Sequence, residues 1–176
     1  MNVYEFTLKF AVPTGIERET LEARLFEVGC DDALIGSGKP GRLALTFDRS
    51  AANARQAIDS ALRDVRKAVP EARLIEAEPD FVGVSDIADV FSFSRQNMRK
   101  LVQTHPESFP LPLHEGRSSL WHLAEVLDWF EARQERTVDP MLREVARANL
   151  AVNVARESAL VGERDEADGR PRREVG

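Results

Sequence analysis

FVGVSDIADVFSFSRQNMRKLVQTHPESFPLPLHEGRSSLWHLAEVLDWFEAR, residues 81–133, is the stretch from which the rest of the chain is read. Its opening spells two short helices separated by a tight turn. The first is expected to start at Ser85 and the second at Ser94. Each serine offers a side-chain oxygen to the N–H groups that a first helical turn leaves unpaired. Ile87, Ala88, Val90 and Phe91 give the first helix an apolar face, and Met98, Leu101 and Val102 give one to the second. The outward side of the second helix carries Arg95, Gln96, Asn97, Arg99 and Lys100, with no acidic residue from 94 to 105. A short helix packed across a longer one with such a free face is an arrangement that reads the DNA major groove.

Further along the same stretch come Phe109-Pro110-Leu111-Pro112, the polar run from His114 to Ser119, Trp121, and Glu125-Val126-Leu127-Asp128-Trp129. With Ile87-Ala88 and Ser94-Arg95 before them, these elements resemble the winged helix-turn-helix of the AlpA and phage-excisionase regulators, relatives of the MerR DNA-binding domain. The resemblance covers residues 81–133 and implies two helices, a short wing at 114–119 and a closing helix. It also implies sequence-specific binding of double-stranded DNA. Ser92 stands at the turn position where such domains often carry glycine, so a non-glycine residue must adopt that turn. The wing holds one basic residue, Arg117, beside the acidic Glu115.

Helix geometry assigns the roles. The first turns of such a helix enter the groove deepest, so Arg95, Gln96 and Arg99 are expected to read base edges, with Ser94 at the helix start also among the DNA-binding residues. Arginine and glutamine make bidentate contacts with guanine and adenine respectively. Asn97 and Lys100 reach bases or phosphates, and Arg117 with Ser118 offers a phosphate contact from the wing. Trp121 and Trp129 are expected in the core.

The first eighty residues form a second unit. From residue 3 to 10 the chain alternates, with Tyr4, Phe6, Leu8 and Phe10 on one side and Glu5, Thr7 and Lys9 on the other, as in a strand with one buried face. A helix is expected from about 17 to 28, with Leu21, Leu25 and Phe26 inward and Gly29 as its stop. Short strands follow at 33–36 and 43–47, with a turn at 37–41 between them. A long helix comes next at roughly 50–69, and a last strand at 72–77. The order βαββαβ is that of ferredoxin-like folds, which makes the whole chain α+β. RNA-binding sheets of this topology stack bases on outward aromatics. Here every sheet aromatic faces inward. Ligand sensing and dimerisation remain as uses of such a unit by analogy of fold alone.

Beyond a loop at 134–137, Asp139 caps a helix that has Pro140 at its first position. Met141, Val145, Ala148, Val152, Ala155 and Ala159 recur at spacings of four and three, a seam for a helix of a second subunit or for this chain's own core. The C-terminal unit that holds this helix is placed at 134–161, and the charged run at 162–176 reads as a disordered tail. In that tail Arg170, Arg172 and Arg173 lie within reach of phosphates.

Composition sets outer bounds on function. A chain of 176 residues with 43% apolar content supports one or two packed units. A single cysteine, Cys30, excludes an internal disulfide framework and fits a reducing compartment. The N-terminal run carries Glu5 and lacks the apolar core of a secretion signal, and no run is long enough for a membrane span. A cytoplasmic protein is expected. The net charge of −6 argues against a general nucleic-acid coat. Residues 81–133 carry five basic and seven acidic groups, and the acids Asp86, Asp89, Glu125, Asp128 and Glu131 fall on the first and last helices.

Chemical motifs fail on inspection. Gly36-Ser37-Gly38-Lys39 lacks the Ser/Thr and the following helix of a phosphate-binding loop. Cys30-Asp31-Asp32 has no histidine beside it, and His105 and His122 have no metal-ligand spacing. No catalytic residue, metal or cofactor is therefore expected. The sequence points to a homodimeric DNA-binding transcriptional regulator. The alternative is an antitoxin- or adaptor-type protein whose acidic N-terminal unit takes a protein partner.

Overall fold

Alternation along the first strand decides the architecture of the N-terminal half. In the computed structural model, which describes residues 1–36 and 38–169, β1 (Asn2–Ala11) turns Tyr4, Phe6, Leu8 and Phe10 into a dry core. It pairs antiparallel with β3 (Arg42–Ala51) on one side, Phe6 opposite Phe47, with the two rings stacked at 5.2 Å. On its other side lies β4 (Arg73–Glu78), and β2 (Ala33–Gly36) pairs with β3. The sheet order is β2-β3-β1-β4, all antiparallel, as in the ferredoxin-like arrangement. One face is covered by α1 (Arg18–Glu27) and α2 (Ala54–Ala68), which present Leu21, Leu25, Ala57, Ile58, Ala61, Leu62 and Val65 to the sheet.

Local differences from the sequence reading have physical causes. Phe26 is 69% exposed; only Leu21 and Leu25, one turn apart, face inward, and the next residue lies round the helix. Strand β3 runs on to Ala51 because its partner β1 continues to Asn2, opposite Ala51. The long helix therefore starts only at Ala54, where the Asn53 side chain accepts from the Gln56 N–H at 2.9 Å.

The second half has its own apolar cluster, built around Ile87, Met98, Phe109, Trp121, Trp129 and Phe130. A two-stranded ladder joins β5 (Phe81–Val82) to β6 (Trp121–His122), and α3 (Val84–Val90), α4 (Arg95–Thr104) and α5 (Leu123–Arg133) pack around it. Helix α3 begins at Val84, not at Ser85. Gly83 occupies the cap, and the Asp86 carboxylate accepts its N–H at 2.8 Å.

Helix α6 (Pro140–Ala167) ties both halves together. Val145, Ala148 and Val152 enter the first cluster, while Ala146 enters the second, with Leu142 and Leu150 packed against it. The seam thus docks on this chain's own core, although its outer members Met141, Ala155 and Ala159 stay exposed. The helix also continues past 161 through Glu163–Ala167, where glutamate, arginine and alanine favour helix without any apolar anchor. Residue 37 and residues 170–176, with the basic run 170–173, lie outside the described residues.

Polar side chains of α6 close the outer edge of β4. The Asn153 amide mimics a neighbouring strand: its Oδ1 accepts from the Ala77 N–H at 2.9 Å, and its Nδ2 donates to the Ala77 carbonyl at 2.9 Å. One turn away on either side, Asn149 donates to the Pro79 carbonyl at 3.1 Å and Arg156 to the Leu74 carbonyl at 2.9 Å. Asn153 also donates to Asp80, a fully buried carboxylate whose other oxygen lies 2.8 Å from His122 Nδ1. The Asp80 carbonyl accepts from Leu123 N at 2.7 Å, so this joint links the sheet, α5 and α6. Asn153→Ala should lower the unfolding free energy by about 2 kcal/mol, because a buried N–H and a carboxylate oxygen both lose their partner. An unchanged urea midpoint would show that water replaces the amide.

Candidate nucleic-acid interface

The local sequence makes two helices meet at an angle across a four-residue turn. Helix α3 buries Ile87 and Ala88, and its end is closed by Phe93 N–H donating to the Ala88 carbonyl at 2.9 Å. Ser92 takes a left-handed conformation, φ 56°, as required of the residue at that position. Serine accepts that backbone at a small cost. Ser94 then caps α4, its Oγ accepting from Asn97 N–H at 3.1 Å. Met98 anchors the helix in the core, with Leu101 and Val102 half-buried beside it.

What remains of α4 faces solvent. Arg95, Gln96, Asn97, Arg99 and Lys100 are all exposed, and among the described residues none of the three cations has a carboxylate partner. Helical spacing puts Gln96, Arg99, Lys100 and Gln103 on one stripe opposite Met98. Gln103, also exposed, is a member that the emphasis on the first turns missed; the i, i+3, i+4, i+7 spacing was the available signal.

After α4 the chain is held by aromatic packing. Phe109 meets the edges of Trp121 and Trp129 at 5.6 and 5.0 Å. Both tryptophans are buried, and each indole N–H has an acceptor: the Pro110 carbonyl at 2.9 Å for Trp121, Ser108 Oγ at 3.2 Å for Trp129. A small hairpin follows, with Leu113 N–H donating to the Leu120 carbonyl at 2.7 Å and Leu120 N–H to the His114 carbonyl at 3.0 Å. Arg117 and Ser118 sit exposed at its tip, on a separate element from the α4 residues.

Two of the three acids of the closing helix, Asp128 and Glu131, are already engaged. Arg147 of α6 meets Asp128 at 2.8 Å, and Arg143 pairs with Glu131. The hydrogen bond that Arg143 donates to Glu131 raises its guanidinium above the ordinary range. These carboxylates therefore repel a polyanion less than their number suggests.

Other sequence candidates lie elsewhere. Cys30 is buried behind α1, and burial pushes its thiol up to about 11, so it is protonated at neutral pH. His122 serves the Asp80 joint, and the ring of His105 lies 3.2 Å from the Leu101 carbonyl. No helix among the described residues is long and apolar enough to cross a membrane. No family model matches this chain, and no curated protein or solved structure matches it either.

Proposed function

We propose that this protein is a sequence-specific DNA-binding transcriptional regulator that lays α4 in the major groove. The observation that carries this reading is the capped, exposed α4 stripe of Gln96, Arg99, Lys100 and Gln103, flanked by the exposed Arg95; among the described residues these cations have no carboxylate partner. Guanidinium and amide groups at one-turn spacing suit bidentate reading of successive base edges. Arg117 and Ser118 on the hairpin tip add a phosphate contact. A two-fold assembly through the exposed distal part of α6, where Val154, Ala159 and Val161 lie in the open, gives two half-sites about one helical turn apart. In this reading the chain performs no catalytic step and needs no cofactor.

The test is selection from random duplexes, followed by titration of the selected and scrambled sequences across salt. With roughly three to four phosphate contacts per subunit, a dimer should give a log–log salt slope of about −5 to −7. Arg99→Ala should cost about 1–3 kcal/mol on the selected duplex and relax preference at one base position. Lys100→Ala should weaken all duplexes alike. Equal affinity for selected and scrambled DNA would sink the reading.

A further inference from the structure

The four-stranded sheet has two edges, and they are treated differently. Along β4, amides and a guanidinium from α6 occupy the outward backbone groups. Along β2, nothing among the described residues does. Asp48 N–H donates to the Asp32 carbonyl at 3.1 Å, and the Ala33–Phe47 register makes Asp32 and Asp48 a hydrogen-bonded pair. Antiparallel ladders alternate, so the next such pair is Leu34 with Thr46. The backbone groups between them turn outward: the Ala33 carbonyl and both the N–H and the carbonyl of Ile35. The Ala33 N–H is taken by the Cys30 carbonyl at 3.3 Å. An open edge of this kind is a template for another strand.

The surroundings of that edge are apolar at the floor and acidic at the rim. Between α1 and β2 runs an open groove of about 550 Å3, floored by Ala23, Phe26, Ala33 and Ile35. Phe26 is 69% exposed there, and Leu34, on the other face of the same edge, is 76% exposed. Glu19, Glu22, Glu27 and Asp31 line the groove, and no lysine or arginine does. Among the described residues, only Glu22 has a cationic partner, Arg18 at 2.7 Å, in the open; Glu19, Glu27 and Asp31 have none. A strand laid against β2 would set alternate side chains over α1, among these carboxylates and Phe26, and the others beside Leu34.

We propose that β2 and α1 form a docking site for an extended basic segment of a protein partner, added as a fifth strand. Its pattern alternates cationic side chains facing α1 with aliphatic ones beside Leu34. A second copy of this chain is the poorer occupant, because it would bring the same four carboxylates against the first set. The proposal is independent of the α4 contact with DNA, since every residue in it lies in the first fifty.

The probe is a capped hexapeptide of alternating arginine and valine, titrated into the full chain and followed by amide NMR shifts and calorimetry. Binding should perturb the amides of residues 33–36 and 26–27. N-methylation of every second peptide amide should weaken it at least about 10-fold by removing the strand hydrogen bonds, and Glu27→Lys or Phe26→Ser should do the same. The glutamate–valine counterpart should not bind. Both substituted residues are exposed, so an unchanged melting temperature confirms that the fold is intact.

Four results would each overturn the proposal: no binding up to about 1 mM peptide; equal binding of the N-methylated peptide, which would mean charge attraction alone; indifference to both substitutions; or a homodimer that Phe26→Ser dissolves, which would make the edge a self-association surface.

Discussion

Arg49→Ala is expected to remove about 3–5 kcal/mol of stability, read as a fall in the urea midpoint with little change in slope. Arg49 lies in β3 with its guanidinium almost wholly buried. It donates to both oxygens of Asp32, at 2.7 and 2.9 Å, to Asp64 at 2.8 Å, to Ser60 Oγ at 3.2 Å and to the Gly29 carbonyl at 3.0 Å. These partners come from the loop between α1 and β2 and from α2, so one side chain ties both to the sheet. Desolvation pulls the guanidinium down, but the hydrogen bonds it donates to Asp32 and then Asp64 outweigh that and hold it above its ordinary range. Truncation leaves two carboxylates that retain only about a quarter of their solvent contact. That places the cost in the uncompensated charge, not in the lost bond. The control is a cycle with Asp64→Ala: the double variant should lose clearly less than the sum of the single losses. Additive losses, or an Arg49→Ala midpoint equal to wild type, would show that Arg49 is solvated and bears no such role.

Elements with one strong period were readable in the sequence; those that depend on a partner far along the chain were not. The alternation of Tyr4, Phe6, Leu8 and Phe10 gave β1, and Leu43, Leu45 and Phe47 gave the heart of β3. The end of β3 at Ala51 was hidden, because Arg49 and Ser50 look like a helix start until β1 is laid beside them. Arg49 itself carries no local signal, since its partners are 11 to 20 residues away. Asn149 and Asn153 did carry one: two asparagines four residues apart among apolar seam positions belong on a buried face only where something there needs an amide. The stripe on α4 was legible because Met98, Leu101 and Val102 fix which way the helix faces. Its extension to Gln103 follows from the same spacing. The groove beside β2 could not be read at all, as Phe26 is apolar and only the packing of Leu21 and Leu25 shows that it points out.

Trp129→Ala is expected to cost about 3–5 kcal/mol, as truncation of a large core aromatic does. Its indole is in contact with three rings: Phe109 at 5.0 Å, Phe130 at 5.1 Å and His105 at 5.4 Å. It also holds Ser108 through its N–H, so it supports both the end of α4 and the chain leading to the hairpin. The cavity therefore opens beside the C-terminal end of the proposed reading helix. For a chain of this size the melting temperature should fall by roughly 6–20 °C. DNA binding should fail in parallel with unfolding and recover on cooling, unlike Arg99→Ala, which should weaken binding at every temperature with the fold intact. Consecutive residues of α6, Val145 and Ala146, enter the two apolar clusters, so a loss in one should reach the other through a shared helix. The variant should accordingly melt in one transition, lowered as a whole. Two separated transitions would show that α6 does not couple the halves, and an unchanged midpoint would show that Trp129 is not packed as described. Trp129→Phe separates ring packing from the hydrogen bond to Ser108: it should restore most of the stability while leaving Ser108 without its donor.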